Sequence, residues 1–168
     1  MNVLGIAPGL GVTGYGLISI IGDKVESINY GHIKTSTKDE VAIRLTIIFN
    51  KISDLIIEYK PAVLSIEEIF YSNNVKSSLL LGHARGVSIA AAAIKNIKVY
   101  EYSAKKIKQS LTGNGNAHKD QVRFMVKNLL KLDTTPKSKD SSDALAAALC
   151  YMLQNRLGDL WLLVLQVN

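Results

Sequence analysis

The stretch Val3-Leu4-Gly5-Ile6-Ala7-Pro8-Gly9, continued by Gly11-Val12-Thr13-Gly14-Tyr15-Gly16, restricts the possible folds of this chain more than any other. A short apolar run, a Pro-Gly break and a second run carrying Gly14 and Gly16 read as a strand, a tight turn and an antiparallel strand. A hairpin so apolar belongs at the centre of a sheet. Position 7 closes the first strand beside the turn, where a polar or acidic side chain would meet a ligand, yet the residue is alanine.

The remaining elements follow from their periods. Residues 24–30 alternate polar and apolar side chains, as a third, half-buried strand does, and residues 31–34 extend it. Leu45, Ile48, Phe49, Ile52, Leu55, Ile56 and Tyr59 are spaced by three and four, which predicts an amphipathic helix over 40–59 ended by Pro61. Ala62-Val63-Leu64-Ser65-Ile66 is short and apolar, a buried parallel strand that delivers Glu67 and Glu68 at its end. A long helix over 77–94 carries apolar residues on more than one side, so it is either deeply buried or sandwiched between its own core and a partner, and a dimer interface is favoured. Residues 98–102 read as a short edge strand, Ser103 as the N-cap of a helix over 104–111, and Lys119 to Leu130 as a further helix. A last helix runs from Lys139 to about Asn155, with Gly158 as its terminator. The order β-β-β-α-β-α-β-α-α-α describes an α/β fold, a five-stranded mixed sheet flanked by helices.

The 168 residues suit one domain with a substantial core. The single cysteine, Cys150, sits in an apolar run, excludes an intrachain disulfide and fits a reducing compartment. No secretory pattern opens the chain, and a cytoplasmic protein is expected. The apolar run 161–165 is too short to span a bilayer, and residues 157–168 read as a tail of unknown role. The net charge of +6 is regional, because residues 95–139 hold eleven Lys or Arg against three Asp or Glu. Such a field draws polyanions to one side of a molecule, and it favours nucleic acid over a merely solvated face.

The candidate chemistry is acidic. Glu67 ends a strand, and Asp140 and Asp143 lie one turn apart on one face at the start of the last helix. Either aspartate could equally serve the helix end, Asp140 as its N-cap and Asp143 through the macrodipole. Carboxylate clusters suit Mg2+ or Mn2+ rather than zinc, and two such ions about 4 Å apart can activate water against a phosphodiester. His32, His83 and His118 have no ligand spacing.

Four motifs in register carry a family resemblance. They are Leu4-Gly5-Ile6-x-Pro8-Gly9 with Thr13-Gly14-Tyr15-Gly16, then Ile66-Glu67-Glu68-Ile69-Phe70, then Leu81-Gly82-His83-Ala84-Arg85-Gly86-Val87, and finally Lys139-Asp140-Ser141-Ser142-Asp143-Ala144-Leu145-Ala146. Together they resemble the RuvC family of Holliday-junction resolvases, nucleases of the ribonuclease H-like fold, over about residues 3–155. The resemblance implies a ribonuclease H-like nuclease domain over 1–156. It implies a homodimer, through the helix over 77–94, that binds four-way junction DNA and makes two symmetric nicks in recombination and repair. It further implies two Mg2+ ions per site, with Mn2+ as a substitute, and a branch-migration motor complex as partner.

Of the four carboxylates that the resemblance implies, Glu67, Asp140 and Asp143 are present, while the first position is Ala7. Lys108 and Lys119 match basic positions near the active site, where they would contact backbone phosphate and stabilise developing charge. Phe70 matches an aromatic near the junction centre, suited to stacking on unpaired bases, and Lys76 and Lys105 are further candidate DNA contacts. With three positions intact, Ala7 reads as a deliberate replacement of aspartate, and a chain that binds junctions without cutting them is expected. A phosphotransferase of the actin and sugar-kinase superfamily also opens on a glycine-bearing hairpin, but it needs a second lobe for which 168 residues leave no room.

Overall fold

In the computed structural model the described residues are 1–22, 24–69 and 74–165, with side chains described as far as Asn155. Five strands form one sheet: β1 (Asn2–Ala7), β2 (Val12–Ile21), β3 (Lys24–Lys34), β4 (Val63–Glu67) and β5 (Lys98–Tyr102). The order across the sheet is β3-β2-β1-β4-β5, so the opening hairpin holds the centre, as its composition predicts. β1 pairs antiparallel with β2 and parallel with β4, and β5 lies parallel to β4 at the edge.

The alternation of side chains divides the core in two. On one face Leu4, Ile6, Leu17, Leu64 and Ile66 pack against α1 (Val41–Tyr59) and α2 (Val75–Ala93). α1 forms because Ile48, Ile52 and Ile56 recur every four residues and are all buried. It stops at Lys60, whose left-handed backbone (φ 46°) lets its N–H close on the Ile56 carbonyl, and Pro61 then prevents continuation.

On the other face Val3, Ile18 and Val63 meet α5 (Lys139–Leu165), which is covered in turn by α3 (Ala104–Thr112) and α4 (Lys119–Leu129). α3 begins where Ser103 Oγ accepts from the Lys106 amide at 3.2 Å, the cap expected from sequence, and it ends on Gly113 in the left-handed region. The nine residues from Ala144 to Met152 are all buried, so α5 is the helix that is apolar around its whole girth. Cys150 lies within that run, as expected of a small apolar residue.

Two expectations need correction. α5 continues to Leu165, past Asn155 and Gly158, because glycine permits a helix end without imposing one and the residues beyond it, Asp159 to Leu165, are not helix breakers. α2 starts at Val75 rather than at 77 and buries Ala84, Ser88, Ala91 and Ala92, while Leu79 and Ile94 are exposed. Small side chains let α2 approach α1 along one narrow stripe, which leaves the larger ones outside. Arg85 ties this helix to the sheet edge by pairing with Glu101 on β5. No helix among the described residues is long and apolar enough to cross a membrane.

Candidate active site

Strand alternation decides which residues meet above the sheet. On β4, Val63 and Ser65 point to α5, the latter donating its hydroxyl to the Ala147 carbonyl at 2.6 Å, so Glu67 points the same way. On β1, Val3 and Gly5 point to α5, and so does Ala7. The parallel register pairs Ile6 with Ile66, which makes Ala7 and Glu67 equivalent positions on neighbouring strands about 5 Å apart.

The acidic turn of α5 reaches this point because the sheet beneath it lacks side chains. A Cβ added at Gly14, which is paired with Ala7, would sit 2.0 Å from the Asp140 carbonyl oxygen. Gly5 and Gly16 open the same space for Ala144 and Leu145. The helix is started by Ser138, whose Oγ accepts from the Ser141 amide at 3.4 Å. Asp140 is therefore a first-turn residue rather than the cap, and Asp143 stands beyond the first turn, where a capping role ends.

Glu67, Asp143, Lys108 and Lys119 share one pocket of about 160 Å³, walled by Ile107 and Val122. The Lys119 Nζ, at the start of α4, stands 3.5 Å from Asp143 Oδ2. Burial holds the Glu67 carboxyl above its ordinary range, and repulsion from Asp143 adds to the rise, while Lys119 and Lys108 oppose it. Burial likewise raises Asp143, against the attraction and hydrogen bond of Lys119, and Asp140 adds repulsion. Each carboxylate thus stands where negative charge is held at a cost and a cation would relieve it.

The oxygen donors suit a hard divalent ion. Among the described residues, however, no three His, Cys, Asp or Glu side chains are drawn together closely enough to hold one. The donor chemistry fits, with a methyl group where a further oxygen would complete the set.

Of the other candidate contacts, Lys105 and Lys76 are exposed in the first turns of α3 and α2, and neither lines the pocket. Phe70 lies outside the described residues. Two features escaped the sequence reading. The glycines at positions 5, 14 and 16 act through closeness to a helix, for which the signal was glycine on every second residue of a strand facing one side. Arg123 was also missed: it donates from Nη2 to the Pro136 carbonyl at 3.1 Å, and its charge favours ionised Asp143. Its place four residues after Lys119 on one helix could have revealed it.

Comparison with known proteins bears on the family and the fold. A family model described as "Crossover junction endodeoxyribonuclease RuvC" matches residues 3–151. The chain is 44% identical over 151 residues to a crossover junction endodeoxyribonuclease RuvC of Alkaliphilus metalliredigens, covering 90% of this chain and 92% of that one. It is 49% identical over 149 residues to the protein of the same description from Legionella pneumophila, covering 89% and 85%. Among solved structures, Thermus thermophilus RuvC in complex with Holliday junction substrate superposes with a TM-score of 0.90 at 30% identity, covering 94% of this chain and 96% of that one.

Proposed function

The chain belongs to the RuvC family of crossover junction endodeoxyribonucleases, and from that premise we propose that it binds four-way junction DNA but is deficient in cutting it. One observation carries the reading. Ala7 and Glu67 occupy equivalent positions on adjoining strands beneath the acidic turn of α5, and of the four positions Ala7 alone has no oxygen to offer.

Glu67, Asp140 and Asp143 would hold divalent cations, Mg2+ or Mn2+. When bound as a pair, such ions activate water and stabilise the leaving oxygen of a phosphodiester. The chain's own residues do the rest. Lys108 and Lys119 stand at the pocket where a backbone phosphate would enter, and their charges offset the negative charge that develops on it. Lys119, which pairs with Asp143, would also be placed to meet that phosphate. Phe70, Lys76 and Lys105 are proposed to contact the junction away from the reacting phosphate.

Cutting two strands symmetrically calls for two copies of the site related by a twofold axis. The exposed side of α2 supports such a contact: Val75 is 68% and Leu79 62% exposed, and Gly82 and Gly86 face open space into which a second helix could settle. A cytoplasmic setting and a branch-migration motor that delivers the protein to junctions complete the proposal.

The test is paired. Binding and cleavage of a synthetic four-way junction are measured for the chain as it stands and for Ala7→Asp. Both are expected to bind, while Mg2+-dependent paired nicking rises by at least about a hundredfold in Ala7→Asp. Robust cleavage by the unaltered chain overturns the reading.

A further inference from the structure

A second cationic feature stands at the same end of the sheet, on the opposite face. β3 ends at Lys34 opposite Val12, the first residue of β2, and so comes beside the turn that follows Ala7. There Thr35 donates its amide to the Gly11 carbonyl at 3.0 Å and its hydroxyl to the Leu10 carbonyl. Arg44, in the second turn of α1, donates from Nε to the same Thr35 hydroxyl oxygen at 2.9 Å. One threonine thus joins the β1–β2 turn, the end of β3 and the start of α1.

Arg44 is only 9% exposed, yet among the described residues no carboxylate lies within ion-pair distance of it. Its Nη atoms bond to no described protein group, and they are not among the buried polar atoms left without a partner, so they reach solvent. A guanidinium taken mostly out of water without a counter-ion is costly unless an anion arrives to meet it. Glu40 makes no capping bond through its side chain, and the first turn of α1 carries no acid. Exposed Asp39 and Glu40 lie close in sequence, and neither pairs with Arg44.

We propose that Arg44 is the seat for one phosphodiester of the bound nucleic acid. Its Nη nitrogens take the phosphate oxygens as a fork, and Thr35 fixes the plane of the guanidinium through Nε. That the phosphate belongs to junction DNA rests on the function proposed above. The pocket of Lys108 and Lys119 lies where β4 ends at Glu67, and Arg44 stands at that same end of the sheet on its other face.

The experiment measures four-way junction affinity across a range of salt for the unaltered chain, Arg44→Gln and Arg44→Lys, with thermal unfolding as the control for folding. Arg44→Gln is expected to weaken binding about tenfold at low salt and to make the slope of log K against log salt shallower by about 0.9 per subunit. Arg44→Lys keeps the slope and loses affinity. A folded Arg44→Gln with unchanged slope and affinity overturns the proposal.

Should Arg44→Gln fail to fold, junctions with single methylphosphonate substitutions are bound to the unaltered chain and to Arg44→Lys. One position must then weaken the first more than the second, and full additivity at every position overturns the assignment. If the unaltered chain binds no junction, the functional reading falls by itself. Titration with inorganic phosphate, followed at the Arg44 Nε–H by NMR, then decides the seat: a saturable shift supports it, and an unmoved resonance overturns it.

Discussion

The two faces of the central sheet are built from alternate residues of the same strands and obey different rules. Towards α1 and α2 the strands present Leu4, Ile6, Leu17, Leu64 and Ile66, large side chains that fill space and supply about 1.5–3 kcal/mol each by burial. Towards the start of α5 they present Gly5, Gly14, Gly16 and Ser65, and the helix backbone rests almost on the strands. The first face provides stability and tolerates variation in shape. The second fixes a distance, that between the acidic turn of α5 and the ends of β1 and β4, and a single methyl group is enough to change it.

That contrast can be broken most severely at Gly5. A Cβ there meets the Ala144 carbonyl oxygen at 2.0 Å and the Ala148 amide nitrogen at 2.9 Å, both of them backbone atoms of a buried helix. Gly5→Val is expected to cost at least about 3 kcal/mol in urea unfolding, or to prevent folding, because the whole helix must lift. Leu64→Ala, on the other face, removes a fully buried side chain and is expected to cost about 2–5 kcal/mol, the spread reflecting how far the site collapses. Its folded molecules should bind junctions as the unaltered chain does. Gly14→Ala sharpens the comparison, since it displaces the Asp140 backbone: made together with Ala7→Asp, it should abolish nicking at a folded fraction where Leu64→Ala with Ala7→Asp still cuts. Equal nicking by the two pairs would mean that the faces are not separable.

Much of this architecture was legible in the sequence because burial writes a period. The helix carrying Ile48, Ile52 and Ile56 follows from spacing, the hairpin and the strand ending at Glu67 follow from short apolar runs beside turn residues, and Ser103 announced its helix by capping chemistry. The site was legible in part: the resemblance identified Glu67, Asp143, Lys108 and Lys119, which the structure gathers into one pocket. What stayed hidden depends on atoms that have no side-chain signature. Gly14 matters for what it leaves out, and Arg44, although it stands four residues before Ile48 on the buried stripe of α1, carries no sign in its spacing that Thr35 holds it. The end of α5 was misjudged because glycine is a frequent helix terminator without being an obligatory one.

The smallest expected effect concerns the charge that the second face brings together. Glu67 and Asp143 both titrate above their ordinary values of 4.5 and 3.8, chiefly because burial disfavours the ionised form. A carboxyl group raised in the native state binds its proton there more tightly than in the unfolded chain, so the native state loses stability as pH rises from the ordinary value through the raised one. At neutral pH without divalent ions, Glu67→Gln should therefore be more stable than the unaltered chain, by less than either core substitution removes. The advantage should shrink as pH falls through the raised value and vanish below about 4, where both states of the unaltered chain are protonated. Asp143→Asn should gain less, because it also gives up the Lys119 pair. Mg2+ should reduce the advantage of Glu67→Gln at neutral pH, and more so with Ala7→Asp, since an added carboxylate raises both the repulsion and the affinity for the cation. An advantage that persisted at pH 4, or that Mg2+ left untouched, would mean that Glu67 is held by packing rather than by the charge facing it across the pocket.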